Sequence, residues 1–318
     1  MNFNLYYSRY ALNDERLCMR FDSDIETANP NKLYYGLKEL STKADKQDDL
    51  LTQNFSMLQT VDTEHVIEIP QQEKEVKFQW LQKWIEETIS YVKSLDSEKF
   101  SGGIAYLLLN LAYRIDCLVI PEGLILHDIE KIAELYFRKD ERQTVEKNRD
   151  MIVEFEKLKT RTKEEVFASL YRSRHTFAIV NPQNYKAIAD SIHNANQNIN
   201  WYRENNYMLI ANQIAEYGIA YCQYSYSLPR PTTELFQLFM MVNYGDYFKA
   251  LGFNADYYNA GTNQFNADKI ADRINQVIDR WKTKYPNLKM RLENIKYDSL
   301  LSFNISFTTE METLNFDR

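Results

Sequence analysis

The side chains best suited to catalysis or anion binding form one cluster, Tyr-Arg-Ser-Arg-His, at positions 171–175. On a helix, Tyr171 and His175 would share one face, with Arg172 beside His175. A guanidinium and an imidazole on one face can bind a phosphate or assist RNA cleavage. Two interpretations follow for Arg172, Arg174 and His175. They form a site that contacts an anion or a partner, or they are a surface basic patch that pairs with the acidic region 139–165.

A second pair, His127-Asp128, stands at the predicted start of a helix over residues 128–138. Either side chain can cap that helix, and the alternative is a pair that shuttles protons. No histidine has a second His or Cys at metal-ligand spacing, so the sequence predicts no metal site. The four histidines are His65, His127, His175 and His193.

Motifs for cofactors and phosphates are absent from the sequence. The Gly102-Gly103 pair is not followed by the Lys and Ser/Thr of a phosphate-binding loop, and no dinucleotide, nucleophile-elbow or zinc-protease motif occurs. We therefore expect no cofactor. Catalytic groups can still assemble from distant positions. An enzyme of that kind, a nuclease or phosphate-ester hydrolase around Arg172, Arg174 and His175, is the alternative function.

The element around which the chain is organised is residues 181–227. Asn181-Pro182 is typical of a helix start, and Pro229 and Pro231 end the pattern. Apolar residues recur every three or four positions between them, which predicts one helical stripe that, if unbroken, is about 65 Å long at ~1.5 Å per residue. Asn205-Asn206 interrupts the apolar stripe and is the position where a kink would divide this helix.

This predicted helix is unusually rich in amides, with twelve Asn or Gln between positions 181 and 213. Asn costs up to about 0.7 kcal/mol per residue against Ala in a helix. The face opposite the stripe is neutral, and amides with aromatics suit protein contact surfaces. The alternative is the compositional bias of an AT-rich bacterial or viral genome. The candidate contact residues are Asn194, Asn198, Trp201, Tyr202 and Asn205.

Helical patterns fill most of the remaining chain, whereas period-two patterns lie at its ends. Residues 2–8 and 16–22 predict a hairpin, and residues 288–308 predict a strand pair. We therefore predict an α+β fold, mainly α, with long antiparallel helices and small β-hairpin elements from the N- and C-terminal ends. The chain 1–318 is expected to be a single domain, with a possible subdivision at the charged segment 139–150.

Composition limits the class of protein. The net charge of −7 argues against binding along a nucleic-acid backbone. The start of the chain has no basic region followed by an apolar run, and the most apolar stretch, 102–121, carries Arg114 and Asp116. We therefore expect no signal peptide and no membrane span. Cys18, Cys117 and Cys222 are expected to be buried free thiols in a reducing compartment.

These observations favour a non-enzymatic protein over an enzyme. We expect an adaptor, chaperone-like factor or structural subunit of a cytoplasmic multi-protein complex. Its partners would be other protein subunits, which it would contact through the long helix rich in Asn and Tyr.

Overall fold

The computed structural model describes residues 5–61, 63–174 and 183–317 of the chain. It is 65% helical and 8% strand, so the predicted class, mainly α with small β elements, is confirmed. The described residues form three separate two-stranded antiparallel sheets, β1–β2, β3–β4 and β5–β6. The strands are β1 (Ser8–Asn13), β2 (Arg16–Phe21), β3 (Val66–Glu68), β4 (Tyr171–Ser173), β5 (Tyr258–Asn259) and β6 (Gln264–Phe265).

The α-helices of the described residues follow much of the pattern read from the sequence. They are α1 (Pro30–Asn54), α2 (Gln71–Lys93), α3 (Ser101–Arg114), α4 (Gly123–Phe137), α5 (Thr144–Lys159), α6 (Lys163–Ala168), α7 (Tyr185–Glu204), α8 (Met208–Ser225), α9 (Arg230–Asn243), α10 (Gly245–Ala250), α11 (Ala267–Trp281) and α12 (Leu300–Glu312). Helix α1 continues without interruption through its polar middle, residues 41–49.

The core is built around α3 and the π-helical turn that follows it, Ile115–Val119. Eleven of the fourteen residues of α3 are buried, and α2, α4, α5 and α8 pack around it. Among the described helices, Ser101–Val119 is the one long and apolar enough to cross a membrane, yet 78% of its apolar stretch is buried inside the protein. That burial fits the core helix of a soluble protein.

The stretch predicted as one long helix is a helical hairpin. Helix α7 ends at Glu204 and α8 begins at Met208, and Asn206 in the turn has a φ of 69°. Asn tolerates this left-handed conformation better than most residues. The Cys222 Sγ donates to the carbonyl of Ile188 (3.8 Å), so the two helices run antiparallel. The unbroken 65 Å helix does not form, and the division falls at Asn205-Asn206, where the sequence indicated a kink. Asn181-Pro182 lies outside the described residues.

The strand pair predicted over 288–308 is also wrong, because residues 300–312 form helix α12. The Ser299 side chain accepts from the Ser302 N–H and caps this helix. Apolar residues at positions 301, 303, 305 and 307 repeat every second position, which is the pattern of a β-strand. The buried side of α12 also includes the polar Asn304 and Thr308, which hid the helical period from a hydrophobicity reading.

The predicted N-terminal hairpin is confirmed, with its first strand at β1 rather than at residues 2–8. Asp14 and Glu15 form the two-residue turn, both at positive φ (47° and 64°), as in type I′ hairpins. The hairpin lies on α1, where a Cβ on Gly36 would come within 2.5 Å of the Phe21 ring. Glycine at position 36 therefore lets the two elements approach closely.

The three cysteines are free. Cys222 is buried, as predicted, while Cys18 and Cys117 are partly buried. Burial raises the pKa of the Cys222 thiol to about 12. Burial also raises the pKa of Cys117 well above its usual value, and the nearby Asp116 and Glu216 charges add to the shift.

Candidate functional site

The predicted chemical cluster at 171–175 begins as a strand, not as a helix. Tyr171–Ser173 pairs with β3, and the Arg174 N–H donates to the carbonyl of His65 (2.7 Å). Successive side chains of a strand point to opposite faces. Tyr171 and Arg172 are therefore not on the predicted helix, because long-range strand pairing overrides the local pattern. His175 lies outside the described residues.

Arg172 pairs with α2 rather than with the acidic region 139–165. Its Nη2 donates to both carboxylate oxygens of Glu73, at 2.8 and 3.1 Å. Arg174 is exposed. The interpretation in which Arg172 pairs with the acidic region 139–165 is wrong. A contact role for Arg172 and Arg174 stays a prediction.

Four of the five candidate residues on α7 form one exposed stripe, which we call the amide stripe: Asn194, Asn198, Trp201 and Asn205. The Trp201 side chain is 48% exposed and stacks on Tyr207, with ring centroids 6.0 Å apart. The fifth residue, Tyr202, is half-buried against α3, where a Cβ on Gly103 would lie 2.9 Å from its hydroxyl. Tyr202 therefore supports the fold more than it offers a contact surface.

Other amide side chains of the helical hairpin form hydrogen bonds with residues inside the protein. The Asn196 Nδ2 donates to Glu312 on α12 (2.6 Å), and its Oδ1 accepts from Thr308 (3.0 Å). Buried Asn304 donates to Asn212 (3.2 Å) and exchanges hydrogen bonds with Asn243 on α9. The surplus of amides is therefore explained in part by polar contacts that join α12 to its neighbours.

The largest exposed apolar surface belongs to residues 5–61, which we call the N-terminal arm. None of its described apolar side chains is buried, and the buried core begins at Ile69. Eleven of the nineteen exposed large apolar residues of the described chain lie in it. They are Tyr6, Tyr7, Leu12, Ile25, Leu33, Tyr34, Tyr35, Leu37, Phe55, Met57 and Val61.

Polar contacts hold the arm together and attach it to the rest of the protein. The Glu39 carboxylate accepts from the backbone N–H groups of Tyr6 and Tyr7 (2.7 and 2.8 Å). Lys46 forms an ion pair with Glu130 of α4, and the Tyr171 hydroxyl donates to Asp49. These polar contacts help to position the arm, and eleven of its large apolar side chains are exposed while others are half-buried.

A cleft of 690 Å³ opens between α2, the π-helical turn, β4, α9 and α10. Its charged end holds Glu73, Lys77 and Arg172, and its apolar wall holds Met240, Phe248 and Leu251. Lys77 is 5% exposed, and its Nζ lies 3.3 Å from Glu73. Burial lowers the pKa of Lys77, Glu73 opposes this shift, and Arg172 adds to it.

The backbone beside this cleft departs from regular geometry. The π-helical turn ends at Ile120, whose φ of 52° is a left-handed conformation that β-branched residues rarely adopt. Ile120 lines the cleft and is 56% exposed. Single π turns and strained residues cluster at functional sites. This backbone geometry makes the cleft a candidate ligand-binding site.

A buried ion pair joins α3 to α8. The Arg114 Nε donates to Glu216 at 2.7 Å, and both side chains are at most 5% exposed. Gln213 accepts from Arg114 and from Asn110, while the Tyr244 hydroxyl donates to Glu216 (2.5 Å). Because the charges compensate each other inside the core, this network fixes the packing of α3 on α8.

His127 and Asp128 lie inside α4, which begins at Gly123, so the predicted capping role is wrong. Asp128 instead accepts from Arg161 (3.0 Å). His127 lines a separate surface cavity of 680 Å³ with Glu130 and several tyrosines. The carboxylate of Asp128 is therefore held by Arg161, while His127 lines a different cavity, and the proton-shuttling alternative stays a prediction.

Among the described residues, no group of three or more His, Cys, Asp or Glu side chains could hold a metal ion. Sequence reasoning found Arg172 but missed Lys77 and Glu73. A signal was present, because Lys77 stands four residues before the buried Leu81, on the apolar face of α2. A lysine on that face is costly to bury unless it has a partner, and Glu73 is placed to supply one.

Comparison of the chain with protein-family models, with curated proteins and with solved structures finds no match.

Proposed function

We propose that this protein is a non-enzymatic subunit that binds another protein through its N-terminal arm. The observation that carries the proposal is that the arm buries no apolar side chain among its described residues, while Leu33, Tyr34, Tyr35 and Leu37 are each 50–56% exposed. Exposed apolar surface of this extent is typical of protein contact sites.

The charge of the arm favours a protein over other partners. Its residues 5–61 hold seven Lys or Arg against nine Asp or Glu, a net charge of −2. Nucleic acids and anionic membranes attract basic surfaces. Aromatic and leucine side chains among mixed charges instead suit a protein whose own contact surface is apolar.

The amide stripe is a second contact candidate. Next to it, Met208 and Leu209 at the start of α8 are 43% and 48% exposed. Together with Trp201 they form a smaller apolar patch at the turn of the helical hairpin. The arm carries more apolar surface, so we assign it the main contact and the stripe a secondary one.

The test is co-purification of the full-length protein with its partner from native cells. Leu37→Glu and Tyr34→Glu are each expected to weaken the complex by about 2 kcal/mol, or roughly 30-fold, as for central interface residues. Val153→Glu is the matched control, because Val153 is 43% exposed but lies on α5. Circular dichroism checks that each variant folds.

The outcomes separate the surfaces. Loss of the partner in the two arm variants but not in Val153→Glu supports the arm. Loss only in Trp201→Glu would assign the contact to the amide stripe instead. Unchanged binding in all variants contradicts the proposal. Light scattering on the purified protein shows whether the partner is a second copy of this chain.

A further inference from the structure

The cleft beside the π-helical turn has a charged end that holds one more cation than anion. Lys77 and Arg172 both contact the Glu73 carboxylate, at 3.3 and 2.8 Å. Among the described residues, Glu73 is the one acidic partner that either cation has. Glu122 also lines the cleft, so the lining as a whole holds two cations and two carboxylates.

Arg172 uses only Nη2 in its contact with Glu73, and it has three further N–H donors on Nη1 and Nε. A planar carboxylate matches these donors. A monoanion near Lys77 would also oppose the desolvation that lowers the pKa of its ammonium group.

The rest of the cleft is apolar with isolated polar groups. Met240, Phe248 and Leu251 form one wall, and Phe253, which is 50% exposed, stands at the cleft. The Gln223 Oε1 is buried and has no hydrogen-bond partner among the described residues. The volume of 690 Å³ lies within the range of about 300–1,000 Å³ typical of small-molecule sites.

We propose that this cleft binds a small carboxylate with an apolar body. The carboxylate lies at Lys77 and Arg172, and the apolar body lies against Met240, Phe248 and Leu251. A hydrogen-bond donor on the ligand, or a water molecule, satisfies Gln223. This binding site is independent of the contact surface on the N-terminal arm.

The test is isothermal titration of the full-length protein at neutral pH with octanoate. Saturable binding is expected for octanoate. Acetate lacks the apolar body and octylammonium reverses the charge, so both are expected to bind at least tenfold more weakly. Octyl phosphate tests whether the site prefers a dianion. Binding of octylammonium or octyl phosphate as tight as that of octanoate would overturn the carboxylate assignment, and so would no saturable binding of octanoate.

Variants locate the site. Arg172→Met and Lys77→Met are each expected to weaken octanoate binding tenfold or more. The Arg172 side chain is 64% exposed, so its replacement leaves the fold intact even if Lys77→Met does not fold. Lys83→Met, a change at an exposed position of the same helix α2, is the matched control. Octanoate affinity unchanged in Arg172→Met contradicts the proposal. Leu37→Glu is expected to keep octanoate binding, which separates this site from the arm.

Discussion

Single residues set the electrostatics of the interior. Asp116 lies in the π-helical turn, where burial raises its pKa to about 7 and the charge of Glu130 adds to the shift. The folded protein therefore holds a proton on Asp116 at pH values where an unfolded chain, with an ordinary Asp pKa near 4, releases it. The contribution of protonated Asp116 to the free energy of unfolding is therefore fully present below pH 4. It is lost as the pH rises towards 7.

Asp116→Asn removes this titration while it keeps the size of the side chain. We expect the free energy of unfolding of the variant to rise relative to that of the original protein between pH 5 and pH 8. Urea denaturation at the two pH values measures the difference, and other titrating groups cancel in the comparison. A difference that is constant or falls with pH would show that Asp116 titrates normally.

The residue types in the sequence pointed to Arg172 as one residue of the cleft, but not to the residues that it contacts there. Arg172 was recognised as an anion-binding candidate because guanidinium groups pair with carboxylates and phosphates. Its acidic partner could not be found, because Glu73 stands 99 positions earlier in the chain. Buried polar groups such as Arg114 and Glu216 were equally invisible, since pairing over 102 positions requires the fold.

At the scale of elements, glycine controls the crossing of α7 and α8. A Cβ on Gly218 would lie 3.1 Å from the Ala195 Cβ and 3.5 Å from the Ile192 Cα. The helices meet closely there because position 218 has no side chain. This contact lets the two helices of the hairpin pack closely against each other.

Gly218→Leu is expected to lower the free energy of unfolding by about 1–3 kcal/mol, because the added side chain overpacks this contact. Gly102→Leu is the control: a Cβ on Gly102 meets nothing within 4 Å, so the change is expected to stay within about 0.5 kcal/mol. Urea denaturation followed by circular dichroism measures both. Equal changes in the two variants would show that the α7–α8 contact tolerates a larger residue.

Sequence reasoning succeeded for the helical stripe within residues 181–227, which forms α7 and α8, and for the N-terminal hairpin. It failed at α12, where the burial of Asn304 and Thr308 depends on amide partners from other helices. It also failed at β4, whose partner β3 is about 100 residues away. In both places, long-range contacts decide the structure and local patterns do not.

At the scale of the whole molecule, the N-terminal arm contributes less buried apolar surface to the folded state than the core does. Every buried apolar side chain of the described chain lies at or after Ile69. The arm packs on α4 through α1, and its polar contacts with the rest include those from Lys46 to Glu130 and from Asp49 to Tyr171. Polar contacts near the protein surface stabilise by about 1 kcal/mol or less each.

Removal of residues 1–62 is therefore expected to leave a chain that still unfolds cooperatively. Its helical signal should fall by the contribution of α1 alone, because the core helices keep their contacts. Calorimetry and circular dichroism check the two statements. A broad, non-cooperative transition would mean that the arm is part of the folding unit.

The positions of the three thiols allow the N-terminal arm to be labelled selectively at Cys18. Thiolates, not thiols, react with alkylating reagents, and the raised pKa values of Cys117 and Cys222 keep both protonated at neutral pH. Cys18 lies on β2 in the arm, where its Sγ donates to the Ala11 carbonyl (3.4 Å). A fluorescent maleimide added to the native protein would therefore mark the arm first, so its emission would report directly when a partner covers that surface.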